Sequence, residues 1–245
     1  MINTLNVKQE QLKNGSCKRG SGNKVILIIG SCRSINYFNY LVDWNENNKN
    51  VYTVHHLDPF NWNWDEQDNF INYEEKINSL ETNDYILDLL ETTDIYIHEY
   101  YENFGMFNTR NIYNFGLKPL LDICIPNFND LFILENDIKL FNQSATAQEI
   151  KETGLKAIDK FYEICLKSDF PEMANYFKDN WKTTRLFWTS NHISKYFSGK
   201  IFELMNEKFL NLDIDYNEIM NGVDMFAYPH TETTPLDKLN HEMQW

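Results

Sequence analysis

The residues Gly30-Ser31-Cys32-Arg33-Ser34 bring together a small backbone position, two hydroxyls, a thiol and a guanidinium, directly after the apolar run Lys24–Ile29. Gly30 permits a tight turn, and the first amides of a following helix point at whatever occupies that turn. A thiol held there has its pKa lowered by the helix terminus and by a neighbouring arginine. A hydroxyl in the same place can contact a phosphate or a developing oxyanion. The alternative is that Cys32 is a small core filler, the common fate of a lone cysteine.

The histidines supply the acid–base candidates. His98 ends the run DIYIH and leads into the aromatic, polar stretch EYYENFGMFNTRN, where it serves either as a catalyst or as a structural hydrogen-bond partner. Asn191-His192 follows the run RLFWT and precedes helical spacing, which puts an imidazole on the same rim as Cys32. His230 in YPHTETTP and His241 in DKLNH lie near the end of the chain, where a histidine can fold back over a site. Asp237 and His241 stand at i, i+4, not at the Asp-x-x-His spacing of many esterases. His55 and His56 are adjacent on a strand, so their side chains point to opposite faces and do not share one metal. No His-Glu-x-x-His and no Cys/His cluster at ligand spacing occurs, so no metal is expected. The glycine-rich stretch GSCKRGSGNK is not a phosphate-binding loop: Ser21 stands where lysine is required, and the stretch precedes the strand.

Positioning these groups requires strands alternating with helices. Strands are expected over 24–29, 51–57, 94–98, 120–126 and 185–189, from apolar runs closed by Gly, Pro, Asn or Asp. Helices are expected from Arg33 onward, over 73–80, 84–90 and 171–181, after the Thr146/Glu149 capping box, and after Ile193. This is an α/β pattern with a parallel sheet. Ligands in such sheets bind at the carboxyl ends of the strands, which selects residues 30–34, 98–108, 126–130 and 190–194. Residues 1–22 are polar and rich in Gly, Ser and Lys and are expected to be a mobile arm, with one α/β catalytic domain over 23–245. Trp62 and Trp64, in a polar loop, either cover the edge of the core or line a partner.

Composition narrows the function. The chain has 245 residues, 42% hydrophobic and 15% aromatic, enough for a substantial core. Its net charge of -14 opposes a nucleic-acid backbone, and no basic stripe offsets it. A small phosphorylated ligand stays open, because a few local basic groups and helix N-termini suffice. No apolar run reaches the roughly 20 residues of a membrane span, and the N-terminus lacks the apolar core of a signal peptide. Cytoplasmic residence is the expectation, as is the absence of a membrane partner. Four cysteines without a Cys-x-x-Cys pair read as reduced thiols.

Three separated segments resemble the WcbI-like family of capsular-polysaccharide biosynthesis acetyltransferases. Gly30-Ser31-Cys32-Arg33 resembles its Gly-Asn-Cys-Gln signature after the first strand. Ile125-Pro126-Asn127-Phe128-Asn129 is similar to its Pro-Asn segment, and Phe187-Trp188-Thr189-Ser190-Asn191-His192 to its Phe-x-Thr-x-Asn-His-Pro segment. Ser31 and Arg33 depart from the family's asparagine and glutamine, and Ile193 from its proline, which opens the catalytic roles and the acceptor sugar to question.

The resemblance implies a three-layer sandwich like that of the SGNH hydrolases, with helical insertions, and acetylation of a sugar or nucleotide-linked amino sugar by acetyl-CoA. On that footing His192 or His98 is the base, while Cys32 carries the acetyl group covalently or lines the pocket. Gly30, Ser31, Arg33, Ser34, Asn127 and Asn191 hold the coenzyme. Tyr100 and Tyr101 stack on a sugar or base, Arg110 meets a phosphate, and His230 joins the acceptor side. The rivals are an esterase or deacetylase using the same turn, and a non-catalytic glycan-binding module. A positional expectation follows: His98, Asn127 and His192 converge on the turn at Cys32.

Overall fold

The run Lys24–Ile29 forms strand β3, with Ile26, Leu27, Ile28 and Ile29 all buried. Burial on both faces is what an inner strand of a parallel sheet requires. The computed structural model describes residues 11–12, 16–58, 84–100, 121–126, 147–187, 193–222 and 224. Strands β4 (Tyr52–Leu57) and β5 (Ile95–Glu99) flank β3, both parallel to it. Leu27 lies opposite both His55 and Tyr96, and Ile29 opposite both Leu57 and His98. β6 (Leu121–Ile125) lies beyond β5, and β1 (Gln11–Leu12) and β2 (Ser16–Arg19) extend the other side, in the order β1-β2-β4-β3-β5-β6. Four of the expected strands are thus present to within one residue, and the chain is α/β.

The expected N-terminal arm is corrected in part. Residues 16–19 are strand β2, antiparallel to β4 with Cys17 opposite His56 and Lys18 opposite His55. β2 lies between β1 and β4, pairs its backbone donors and acceptors with both, and covers the otherwise open side of β4. A polar composition therefore concealed it.

Helix α1 (Ile35–Asn47) packs on β4, with Phe38 edge-on to His56 and Trp44 tilted against Tyr52, both at 5.9 Å between ring centres. The return from α1 to β4 is organised by one side chain. Buried Asn45 donates from Nδ2 to Asn50 Oδ1 and to the Tyr52 carbonyl, each at 2.8 Å, and accepts the Tyr52 N–H at 2.7 Å. Lys49 and Asn50 adopt left-handed backbone angles (φ 66° and 57°), which the chain needs to reverse direction. The far end of the sheet is pinned reciprocally: Asp94 accepts the Val25 N–H at 2.7 Å and returns its own N–H to the Val25 carbonyl at 2.9 Å. Helix α2 (Asp84–Thr92) precedes β5.

Two compact units make up the chain, Leu5–Cys124 and Ile125–Trp245, and the sheet strands up to β5 belong to the first. In the second, α3 (Ala147–Lys167), α4 (Glu172–Asn180) and α5 (Lys195–Met205) surround an aromatic cluster, and α6 (Tyr216–Asn221) follows. Phe161 meets Phe177 at 4.6 Å and Phe197 at 5.7 Å, and Phe187 meets Phe197 at 5.6 Å. The strand expected at 185–189 does not form over its described residues. Leu186 accepts the Ser194 N–H, and Phe187 makes one isolated bridge to Ile193. The apolar character of this run serves the aromatic cluster, not a sheet. The Tyr73–Leu80 helix and both tryptophans at 62 and 64 lie outside the described residues.

Asn45→Ala should lower the unfolding free energy by about 2 kcal/mol in urea titration, since it strands the Tyr52 backbone groups in the interior. A loss below about 0.5 kcal/mol would remove Asn45 from this role.

Candidate functional site

The chain leaves β3 at Gly30, whose N–H continues the ladder by one bond to the Leu57 carbonyl. A Cβ at Gly30 would come within 2.7 Å of Ser34 Oγ and 2.9 Å of the Glu99 carboxyl carbon, so no larger residue fits. A short 3-10 turn, Cys32–Ser34, then runs into α1. The Ser31 carbonyl accepts from Ser34 N at 3.0 Å and from Ser34 Oγ at 2.8 Å, closing the turn.

The Ser31 hydroxyl is the hub. It donates to the Glu99 carboxylate, 3.1 Å from each oxygen, and accepts from Arg33 Nε at 2.7 Å and, more weakly, from Arg33 N at 3.4 Å. Ser31, Arg33 and Glu99 are only 2 to 3% exposed. A hydroxyl has one proton and two lone pairs, and here all are used. Its interactions therefore build the turn, although sequence suggested phosphate or oxyanion contacts for Ser31 and Arg33.

Ser34 is tied to the next strand. Its Oγ lies 2.7 Å from His56 Nε2. With its single proton given to the Ser31 carbonyl, Ser34 receives Nε2–H from a neutral His56. Burial pulls the His56 pKa down to about 4, opposed in part by a hydrogen bond to the Ser31 backbone. Burial, with Lys18 adding to it, likewise lowers His55 to about 4.

The opposite face of the sheet carries a second constellation. His98 Nε2 lies 3.2 Å from Asp122 Oδ1 on β6, with side chains 13% and 20% exposed. The His98 ring stacks on Tyr96, 5.1 Å between centres and 16° from parallel. Burial, reinforced by Asp122 and Cys124, raises the Tyr96 pKa and keeps its hydroxyl protonated.

Gly30, Ser31, Arg33 and Ser34 thus form one bonded turn, and His98 stands one residue from Glu99 at the neighbouring strand end. The His98 imidazole faces across to β6, away from Ser31. Tyr100 follows β5 and is half-buried. Tyr101, Arg110, Asn127, Asn191, His192 and His230 lie outside the described residues, as do Asp237, His241 and the Cys32 side chain. Sequence reasoning missed Glu99, Asp122 and the role of His56. The signal for Asp122 was available: a lone carboxylate inside the buried strand LLDICIP must have a partner. Among the described residues no group of three or more His, Cys, Asp or Glu could hold a metal ion. No helix among them is long and apolar enough to cross a membrane.

No protein-family model matches the sequence, and no curated protein matches it. Among solved structures, the chain is distantly similar to WcbI, described as a polysaccharide biosynthesis enzyme, in its native form without a disulfide bond between coenzyme A and a cysteine. The TM-score is 0.44 at 11% identity, over 82% of this chain and 74% of that one.

The low pKa values of His55 and His56 give a pH dependence with a definite sign. Between about 6.5 and about 4 the folded protein binds fewer protons than the unfolded chain, so the stability present above pH 6.5 is lost as pH falls through about 4. Each tenfold difference in proton affinity between the folded and unfolded chain is worth about 1.4 kcal/mol. His56→Gln keeps a donor near Nε2 but does not titrate, and its melting temperature should fall less steeply over this window than that of the wild type. Equal slopes would exclude His56 as a contributor.

Proposed function

We propose that this chain is an acyltransferase that moves the acetyl group of acetyl-CoA to a hydroxyl or amine of a sugar or nucleotide-linked sugar, within an SGNH-like α/β fold. The observation that carries the reading is the turn after β3. Gly30, Ser31, Arg33, Ser34, His56 and Glu99 are committed to a buried bonding pattern that fixes the backbone around Cys32 at the carboxyl end of a parallel strand. Such rigidity is what a site must have to hold a thioester carbonyl in place. The resemblance of three segments to the polysaccharide acetyltransferases supports the same reading from sequence.

The two ends of acetyl-CoA make different demands. The thioester end suits the strand-end turn backed by the positive terminus of α1. The phosphate end needs exposed cations, and Arg33, buried on Ser31, does not provide one. In this reading that task falls to Arg110 and to the Asn127 and Asn191 segments. An esterase working through Ser31 is less well supported, because the Ser31 hydroxyl is buried and its proton and both lone pairs are already taken up by Glu99 and Arg33.

Acetyl-CoA at millimolar concentration should raise the melting temperature by several degrees. A screen of amino sugars and nucleotide sugars should then find an acceptor that releases free CoA. A folded protein without stabilisation or turnover rejects the reading. Cys32→Ala should reduce turnover at least about 100-fold if the acetyl group passes through the thiol. Turnover within a few-fold of wild type would assign direct transfer.

A further inference from the structure

We infer that His98 is the base that activates the acceptor, working through Nδ1, and that Asp122 is the residue that positions it. This rests on the acyl-transfer reading and adds to it an atom, a tautomer and a partner residue. Asp122 Oδ1, a buried atom with no hydrogen-bond partner among the described residues, lies 3.2 Å from His98 Nε2 as an ion-pair contact, and its charge favours a proton on that nitrogen and so one tautomer of the imidazole. The lone pair then resides on Nδ1, for which the described residues offer no hydrogen-bond partner. Tyr96, stacked beneath the ring, fixes its plane. The two side chains are 13% and 20% exposed, in contrast to the buried Ser34–His56 pair.

Register sets the backbone of His98 level with the start of the turn, while its imidazole faces β6. His98 is opposite Ile29, the residue before Gly30, and the next residue, Glu99, binds Ser31. The His98 backbone therefore stands about one strand spacing, roughly 4.8 Å, from Ile29, the last residue of β3 before the turn. In the step, Nδ1 takes the proton of the acceptor hydroxyl or amine as its oxygen or nitrogen bonds to the thioester carbon. The carbon–sulfur bond then breaks, and the imidazolium returns its proton to the departing coenzyme A thiolate. The products are acetylated acceptor and free coenzyme A, with no oxidant or reductant required. If the thiol of Cys32 carries the acetyl group first, the same base serves the second transfer.

The tautomer can be read without any activity. Long-range proton–nitrogen spectra of ¹⁵N-histidine protein at about pH 8, with His98 assigned by its loss in His98→Gln, should show protonated Nε2 and bare Nδ1. Asp122→Asn, whose amide oxygen still accepts, should keep that tautomer while turnover falls roughly 10- to 100-fold. Asp122→Leu should give mixed tautomers. His98→Gln should lose at least about 100-fold in turnover while acetyl-CoA stabilises it as much as wild type. A protonated Nδ1 in the wild type overturns the inference, as does His98→Gln turnover within a few-fold of normal. If acetyl-CoA neither binds nor turns over, the acyl-transfer reading fails by itself, and the tautomer still decides whether Asp122 positions His98.

Discussion

The buried hydroxyl of Ser31 is the constraint on which the rest of the site depends. It joins a carboxylate from β5 to a guanidinium from the 3-10 turn, both almost fully withdrawn from solvent. Buried charges are costly unless hydrogen-bonded, and taking away one member of such a set leaves the others stranded. The turn is consequently held in one conformation by groups that have no better arrangement. Gly30 is part of the same constraint, since a Cβ there would intrude on both Ser34 and Glu99. The polar residues at this strand end, which look reactive in sequence, are largely the scaffold that holds Cys32 at the head of its helix.

Strand alternation divides the remaining work between two faces. Val54 and His56 on β4, Ile28 on β3, and Ile97 and Glu99 on β5 share one face, because each is the register partner of the next or two residues from it. His55, Leu27, Ile29, Tyr96 and His98 share the other. The first face meets α1 and is closed, so its histidine is neutral, buried and structural. The second carries the partly exposed dyad with Asp122. Adjacent acid–base residues at 98 and 99 therefore have opposite assignments, whereas His55 and His56, on different faces, are both buried.

That same alternation explains what was legible beforehand. The principal strands were readable because β3, β4 and β5 are inner strands rich in apolar and β-branched residues, continuously so in β3 and interrupted by His55, His56 and His98 in the other two. β2 was not, since a short polar strand outside the parallel core is held by backbone bonds that leave little trace in composition. Placing His55 and His56 on opposite faces was correct reasoning stopped early: it excluded a shared metal but did not ask what each face would meet. Glu99 was lost because the strand was taken to end at His98, one residue short, and that residue is the one that reaches Ser31. The run at 185–189 misled because Leu186 and Phe187 are apolar for the sake of a helical core, and a short apolar stretch does not by itself distinguish the two settings.

Acyl transfer needs a fixed electrophile and a base that approaches it from a separate direction, so that the acceptor can enter between them. A parallel sheet provides this when neighbouring strands end at the same level. Ile29 and His98 are in register, so the turn that follows β3 and the imidazole near the end of β5 start from adjacent backbone positions. The carboxylates that steady them come from different strands, Glu99 for the turn and Asp122 for the imidazole. Disturbing one support leaves the other in place, so the turn can be rigid without dictating where the imidazole sits. The acidic character of the chain fits this division, since Glu99 near these strand ends serves as an internal acceptor for Ser31.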